Sequence, residues 1–276
     1  MATRLKLTAT QSHILCRVSD DNPGLIVESR QVGIRFPSGT LALHGLDLGV
    51  REGEFVSLVG PSGCGKSTFL RLVAGLLDPT EGQLTVGGLG PAQARKTSHS
   101  SGFVFQSPTL LPWRTVQENL VLPLELEGMP SSARRVVAEE WLERVGLTEF
   151  AKAWPAQLSG GMRMRVSIAR ALASRPRILL MDEPFAALDD ITRGGLQEEL
   201  LRLRSEIGFT TLFVTHNVSE AVFLSDRVVV MTGRPGRIQG EVAVGLGARR
   251  DDDLRGEASF ASKIREVAHL LKMAKP

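Results

Sequence analysis

Short apolar segments alternate with segments of helical periodicity through much of the chain. Strands are predicted at Phe55–Val59, Ile178–Met181, Thr211–Thr215 and Val228–Met231. Helices are predicted at Lys66–Leu77, Gly161–Ser174, Ile191–Ile207 and Asn217–Leu224. Because strands that alternate with helices favour a mostly parallel sheet covered on both faces, the pattern predicts an α/β fold.

Two regions depart from this alternation. From Leu25 to Val50, β-rich pieces broken by glycine and proline predict short antiparallel strands joined by turns, with a further strand at Gly82–Gly88. From Val116 to Gly146, proline and glycine interrupt a helical pattern that is clearest over Ala133–Val145. We interpret the first region as an antiparallel β subdomain and the second as part of an inserted α-helical subdomain of about residues 107–160.

The predicted boundaries divide the chain into three parts. Residues 1–24 are polar and irregular and form an N-terminal tail, residues 25–244 form the main domain, and residues 245–276 form a linker and helix. Ala258–Lys272 has the spacing of an amphipathic helix. A length of 276 residues is sufficient for one large domain with subdomains.

Composition narrows the class of protein only slightly. The net charge is +3 and no dense Lys/Arg block is present, which argues against a basic nucleic-acid scaffold. The two cysteines cannot form a disulfide framework, which suits a reducing cytosol. Apolar stretches such as Leu72–Leu77 are too short to span a bilayer, so any role at a membrane requires a partner that holds the chain there.

A glycine-rich loop follows the predicted strand Phe55–Val59. The pattern G-x-x-x-x-G-K-[ST] and the next residue are matched by Gly60, Pro61, Ser62, Gly63, Cys64, Gly65, Lys66, Ser67 and Thr68. Such a loop turns successive backbone N–H groups toward phosphates, while Lys66 can reach the β and γ phosphates and the Ser67 hydroxyl can bind Mg²⁺. We interpret Cys64 as a small loop residue rather than a redox site.

Two carboxylates follow the predicted strand Ile178–Met181. Ligands of α/β proteins bind where parallel strands end, so Asp182 is placed to hold Mg²⁺ through water. Glu183 is placed to orient and deprotonate an attacking water. A solvated Asp-Glu turn is the alternative for this pair taken alone, and the glycine loop makes that alternative the weaker one.

A second candidate anion site lies at the start of another predicted helix. Ser159 precedes Gly160 and Gly161, and glycines at a helix N-terminus leave backbone N–H groups open to an anion. One chain has no evident need for two such sites around one nucleotide. This segment, followed by Arg163-Met164-Arg165 and Ile168–Leu172, resembles the signature of ATP-binding cassette (ABC) ATPases, and the resemblance extends over nearly all of residues 25–244.

The resemblance implies that two chains pair head to tail, each signature segment capping the γ-phosphate held by its partner's glycine loop. It also implies roles for Gln106 at Mg²⁺ and the attacking water, Asp189 in a loop that crosses the dimer interface, and His216 at the γ-phosphate. A hydrogen-bonded histidine without such a role is the alternative for His216. Phe36 lies where the family usually has a tyrosine stacked on adenine. A core phenylalanine is the alternative there.

Other residues narrow the resemblance to one group. Met162 replaces the commoner signature glutamine but leaves Ser159 and the glycine backbone, so hydrolysis is predicted to persist. Leu110–Val116 and Arg234–Ile238 are similar to the corresponding segments of importers of the nitrate, sulfonate and taurine group. A core or interface anchor is the alternative for Trp113 in the first segment, and a simple hairpin turn is the alternative for the second.

The resemblance therefore predicts the ATP-hydrolysing motor of an ABC importer, with ATP and Mg²⁺ as cofactors and sulfonate or taurine as the favoured solute. The expected direct partners are a second copy of the chain and a multispanning permease, and a solute-binding protein is an indirect partner. The expected location is the cytoplasmic face of the inner membrane.

Two other classes of function are the alternatives to this prediction. A cassette ATPase that acts on DNA, chromosomes or ribosomes is disfavoured because the sequence has no long coiled coil, second cassette or strong basic patch. A small-molecule kinase could use the same glycine loop but would not need Ser159–Met162 at the start of a helix. No nucleic-acid partner is expected.

Overall fold

The computed structural model describes residues 24–97, 101–247 and 250–274, so nearly all of the predicted N-terminal tail lies outside the described residues. The strands are β1 Leu25–Arg35, β2 Leu41–Arg51, β3 Phe55–Val59, β4 Glu81–Val86, β5 Ser101–Val104, β6 Ile178–Asp182, β7 Thr210–Val214, β8 Arg227–Met231 and β9 Ile238–Ala243. The helices are α1 Lys66–Val73, α2 Pro91–Ala94, α3 Val116–Leu120, α4 Leu122–Leu126, α5 Ser131–Arg144, α6 Gly160–Ala173, α7 Asp190–Ile207, α8 Val218–Leu224 and α9 Ala258–Met273.

The larger sheet has the strand order β5-β6-β7-β3-β8-β9. Neighbouring strands from β5 to β8 are parallel, and β9 returns antiparallel to β8. Every residue of β3 and β7 is buried, as expected for parallel strands covered on both faces. The carboxyl ends of β3, β6 and β7 consequently share one edge of the sheet, and the predicted α/β class is confirmed.

The smaller sheet is antiparallel, with the order β2-β1-β4. The prediction of short strands broken at Gly33 and Gly45 was wrong, because β1 and β2 each continue for 11 residues. Shifts of register in the β1–β2 pairing near Val32 and Ile34 absorb the irregular positions without ending the strands. Phe36 follows directly after β1, at the turn that leads into β2.

Helices α3, α4 and α5 lie between β5 and α6 and pack on α6. Their buried side chains include Leu120, Leu124 and Trp141, and these belong to the same hydrophobic cluster as Phe55 of β3. Because this cluster is continuous with the core of the larger sheet, it does not itself mark a boundary. The limits of the predicted helical subdomain therefore remain a prediction.

Several predicted elements have different ends, and some strands were not predicted. The helix predicted to reach Leu77 ends at Val73, because Gly75 adopts a left-handed conformation (φ 64°) that terminates it. Strand β5 was not predicted, and in this short strand a Cβ atom on Gly102 would lie 2.5 Å from the carbonyl oxygen of Ala171 in α6. The missing side chain lets α6 approach the sheet closely.

We predict that Gly102→Ala lowers the free energy of unfolding by about 2–4 kcal/mol, because the added methyl group must displace the backbone of α6. The control is Gly195→Ala, since the space around Gly195 in α7 is open. The free energy of unfolding of that variant should rise by about 0.4–1 kcal/mol, because alanine reduces the entropy of the unfolded chain. Urea unfolding monitored by circular dichroism compares the two, and wild-type stability for Gly102→Ala would contradict the close packing of α6.

Candidate nucleotide site

The glycine loop joins β3 to α1, and its shape requires its glycines. Gly63 and Gly65 have φ values of 76° and 100°, which side chains rarely tolerate. A Cβ atom on Gly65 would lie 2.5 Å from Leu43 Cδ2, and one on Gly60 would lie 2.9 Å from the Met231 carbonyl oxygen. The first N–H groups of α1 have no intrahelical acceptor and no acidic residue lies in its first turn, so this end of the helix favours an anion.

Lys66 lies inside the loop and is only 5% exposed. Its Nζ donates to the carbonyl oxygens of Gly60 at 2.8 Å and Pro61 at 3.0 Å, and Cys64 Sγ lies 3.8 Å away. These carbonyl groups are neutral, and the described residues place no carboxylate in an ion pair with this ammonium group. Its positive charge is therefore available to a phosphate.

Ser67 and Asp182 meet across the edge of the larger sheet. Ser67 Oγ donates to Asp182 Oδ1 at 2.7 Å, although the two residues are 115 positions apart. A hydroxyl and a carboxylate are oxygen donors of the kind that Mg²⁺ takes, with water and substrate phosphate completing its octahedron. No group of three or more His, Cys, Asp or Glu that could hold a metal occurs among the described residues.

Gln106 lies two residues beyond β5, at the same end of the larger sheet, and its side chain is exposed. The described residues provide no hydrogen-bond contact between Gln106 and Ser67 or Asp182. Arg170 of α6 fixes the next part of this loop by donating to the carbonyl oxygens of Pro108 at 2.9 Å and Thr109 at 3.0 Å. Burial lowers the pKa of Arg170. The loop of Gln106 is thus attached to the helix that Ser159 caps.

Glu183 and His216 follow the adjacent strands β6 and β7. His216 Nδ1 lies 3.0 Å from Glu183 Oε2, and the Glu183 N–H donates to the Val214 carbonyl oxygen at 2.9 Å. Glu183 has a φ of 47°, an uncommon conformation for a residue with a side chain and one that concentrates at functional sites. The geometry places a carboxylate and an imidazole together at the ends of β6 and β7, on one side of the loop that follows β3.

Ser159 caps α6 by accepting a hydrogen bond from the Met162 N–H at 3.2 Å. A Cβ atom on Gly161 would lie 2.5 Å from Thr192 Cγ2, so this glycine permits close contact with α7. Met162 packs against the hydrophobic core, which explains how an apolar side chain is accommodated in place of glutamine. No hydrogen bond within the described part of the chain joins Ser159 or Gly160 to residues 60–68.

Asp189 and Phe36 each have contacts within the chain. Their predicted roles, at the dimer interface and in adenine stacking, stay predictions. Asp189 caps α7 by accepting a hydrogen bond from the Thr192 N–H at 3.0 Å, which lowers the pKa of this exposed carboxyl group. Phe36 is half-buried against the hydrophobic cluster beneath the smaller sheet. This position is compatible with adenine stacking and with a core role.

Sequence reasoning missed a buried group beneath His216. Glu220 is 5% exposed, and its Oε2 accepts a hydrogen bond from Thr215 Oγ1 at 2.6 Å. Arg193 Nε lies 3.4 Å from Glu220 Oε1, and Arg193 Nη2 donates to the Leu188 carbonyl oxygen at 2.7 Å. Arg193 thus connects the loop of Asp189 to the segment that carries His216. Only the tertiary fold brings these residues together, so no local sequence pattern could have identified them.

The parallel sheet, its glycine loop and the carboxylates at its edge define a P-loop NTPase. Residues 43–186 match the ABC transporter family. An uncharacterized ABC transporter ATP-binding protein of Methanocaldococcus jannaschii, MJ0412, is 48% identical over 84% of this chain and 84% of its own. The chain therefore belongs to the ABC transporter family.

Two further relatives have names that include a solute. The bicarbonate transport ATP-binding protein CmpC of Synechococcus elongatus is 46% identical over 85% of this chain and 36% of its own. The nitrate import ATP-binding protein NrtC of the same organism is 47% identical over 73% of this chain and 30% of its own. This chain therefore corresponds to only about a third of the length of either relative.

A solved structure extends the comparison to three dimensions. The ATP-binding cassette MJ0796, determined as a dimer in a post-hydrolysis state with ADP and Pi, is 36% identical. Its TM-score is 0.70 over 79% of this chain and 98% of its own. The prediction of a transport ATPase is confirmed, and the chain is an ATP-hydrolysing subunit of an ABC transporter. No helix formed by the described residues is long and apolar enough to cross a membrane.

We predict that the stability contribution of Glu220 depends on pH. Burial raises the pKa of Glu220 above its ordinary value of 4.5, so the folded protein binds this proton more tightly than the unfolded chain does. The contribution of the group is greatest below about pH 4.5 and falls as the pH rises through the folded pKa.

Urea unfolding of wild type and Glu220→Gln between about pH 4 and pH 8 tests this pH dependence, since the variant cannot titrate at this position. The free energy of unfolding of wild type should fall relative to that of the variant as the pH rises. A constant difference, or one that grows in favour of wild type, would contradict the raised pKa.

Proposed function

We propose that the chain is the motor of an importer and works as a head-to-tail dimer that closes on two MgATP molecules. The observation that carries this proposal is the separation of two phosphate-type sites in one chain. The loop of residues 60–68 leads into α1, whereas Ser159–Gly161 lie at the start of α6, and no hydrogen bond among the described residues joins the two. A second chain can bring one site against the other, and the dimer of the related cassette MJ0796 supports such an assembly.

Each side chain of the site has a role in this proposal. The loop N–H groups and Lys66 bind the phosphates, and Ser67, Asp182 and Gln106 hold Mg²⁺ directly or through water. Bound Mg²⁺ would neutralise phosphate charge and orient the phosphate oxygens. Glu183 accepts the proton of the attacking water. His216, held beside Glu183, contacts the γ-phosphate.

The remaining predicted residues complete the composite site. Phe36 stacks on adenine, while Ser159, Gly160 and Gly161 of one protomer cap the γ-phosphate on its partner. Asp189 lies at the interface beside them. Loss of the γ-phosphate removes contacts that hold the closed dimer together, so hydrolysis reopens it.

The permease is proposed to bind an open groove on the helical region. The groove has a volume of about 510 Å³ and is lined by residues including Trp113, Glu125, Arg134 and Arg135. Trp113 is 69% exposed. Arg134 pairs with Glu125 at 2.9 Å, whereas the Arg135 side chain has no partner among the described residues. The groove therefore suits a short cytoplasmic helix of the permease that carries an apolar side chain to pack on Trp113 and an acidic group to pair with Arg135.

Import of a small solute is the direction that we propose, with a solute-binding protein as an indirect partner. The names of CmpC and NrtC support a cargo of the bicarbonate or nitrate type, and the resemblance extends the group to sulfonate and taurine. The chain itself contacts nucleotide and permease in this scheme, so cargo selection lies with the other subunits. The proposed location is the cytoplasmic face of the inner membrane, as a peripheral subunit.

Glu183→Gln is predicted to bind MgATP with wild-type affinity but to lose about 10²–10⁴ in turnover, because the amide cannot accept the proton. With MgATP the variant should accumulate as a dimer, since the nucleotide is not consumed. Phosphate release and light scattering measure the two effects. Glu139→Gln, which changes an exposed side chain on α5, is the control. Normal turnover of Glu183→Gln would remove this residue from the role of base.

Trp113→Ala is predicted to weaken permease binding by about thirtyfold, because it removes the large exposed anchor of the groove. ATPase activity of the isolated chain should stay unchanged. Co-purification with the permease and transport into vesicles measure the loss. Met273→Ala, which trims an exposed side chain at the end of α9, should have no effect on either. Equal behaviour of the two variants would place the docking surface elsewhere.

A further inference from the structure

The connection between β8 and β9 is closed by its own hydrogen bonds and forms what we call the 232–237 turn. The Thr232 N–H donates to the Arg237 carbonyl oxygen at 2.9 Å, and the Arg237 N–H donates to Thr232 Oγ1 at 3.1 Å. The proposed function assigns this turn no role.

The 232–237 turn packs directly on the glycine loop. The Gly236 N–H donates to the Ala42 carbonyl oxygen of β2 at 2.9 Å, and the Gly236 carbonyl oxygen accepts a hydrogen bond from the His44 N–H at 3.1 Å. A Cβ atom on Gly236 would lie 2.0 Å from the Cys64 carbonyl oxygen, so only glycine permits this approach. The turn is therefore held between β2 and the loop that binds phosphate.

This placement brings the Arg234 guanidinium onto the loop. Its Nε and Nη2 atoms both donate to the Gly63 carbonyl oxygen at 3.3 Å. Gly63 has a φ of 76°, a left-handed conformation that glycine adopts readily and other residues rarely tolerate, so the carbonyl group that Arg234 holds belongs to a turn that requires glycine. Arg234 and Gly63 are 171 positions apart in sequence, and their contact links the turn between β8 and β9 to the glycine loop.

The contact has a consequence for the neighbouring N–H group. The peptide unit of Gly63 and Cys64 is planar and trans, so its C=O and N–H point in opposite directions. A donor that holds the Gly63 carbonyl oxygen therefore also orients the Cys64 N–H. Within the loop that N–H has only a long hydrogen bond of 3.3 Å to the Pro61 carbonyl oxygen. N–H groups of such loops are the ones that cradle nucleotide phosphates.

We propose that Arg234 is a positioning residue for nucleotide binding, which fixes the Gly63–Cys64 peptide. The inference rests on the proposed role of residues 60–68 in holding the phosphates. It concerns the loop backbone rather than the γ-phosphate, so it applies to ADP as well as to ATP.

The same turn supplies a matched control. Arg237 carries the same charge three positions later and is exposed, but the described residues give its side chain no hydrogen bond or ion pair. Removal of Arg237 therefore changes the net charge by the same amount without changing the contact with Gly63. The comparison separates positioning from a general electrostatic effect.

The test measures the Kd of MgATP and MgADP for the full chain by calorimetry. Arg234→Ala should raise both Kd values by about tenfold, the effect of losing one charge-assisted hydrogen bond. Arg237→Ala should bind as wild type does. In turnover assays Arg234→Ala should raise KM and leave kcat within about twofold, since Glu183 and His216 are not touched. Arg234→Lys, which can still donate to Gly63, should recover part of the affinity.

Three outcomes would overturn the inference. The first is a wild-type Kd for Arg234→Ala, and the second is a loss of affinity for Arg237→Ala equal to that for Arg234→Ala. The third is a lower Tm of Arg234→Ala without nucleotide, combined with an unchanged affinity of the folded variant. Lys66→Ala distinguishes this failure from failure of the site itself. If Lys66→Ala loses nucleotide binding and Arg234→Ala does not, only the role of Arg234 is wrong; if neither loses it, the assignment of the loop is wrong.

Discussion

The hydrogen bond between Ser67 and Asp182 is the contact on which the arrangement of the site depends. It joins the first turn of α1 to the end of β6, with Ser67 Oγ 2.7 Å from Asp182 Oδ1. The two groups can meet only because β3 and β6 run parallel and end at the same edge of the sheet. Everything proposed for nucleotide chemistry follows from that shared edge, since Glu183 comes directly after Asp182 at the end of β6 and His216 follows β7, the strand between β6 and β3.

Around this edge, two arginine side chains attach loops to helices. Arg170 holds the segment after Gln106 against α6, and Arg193 links the loop of Asp189 to Glu220 beneath His216. In the proposed motor, a movement at either loop would reach the helices that carry these arginines, α6 and α7. Such connections are what a motor requires, because binding at the nucleotide must displace a surface that a membrane partner contacts.

Much of the fold, and the local patterns on which the proposed site rests, could be predicted from the sequence for a physical reason. A phosphate loop and strand-end carboxylates are local patterns, and apolar runs such as Phe55–Val59 predict buried parallel strands. Strand β5 was missed because it has only four residues, and the contacts of Arg193, Glu220 and Arg234 were missed because most of their partners are distant in sequence. Burial and hydrogen-bond geometry set these contacts, and the periodicity of hydrophobic positions along the sequence encodes neither.

The central claim is that one protomer completes the nucleotide site of its partner, and a structure of Glu183→Gln with MgATP tests it most directly. The quantity to measure is the distance from Ser159 Oγ of one protomer to the γ-phosphate held by Lys66 of its partner. We predict that this distance is about 3 Å, within hydrogen-bond range, at both nucleotide sites of the dimer. A γ-phosphate surrounded only by residues of the chain that binds it would contradict the account.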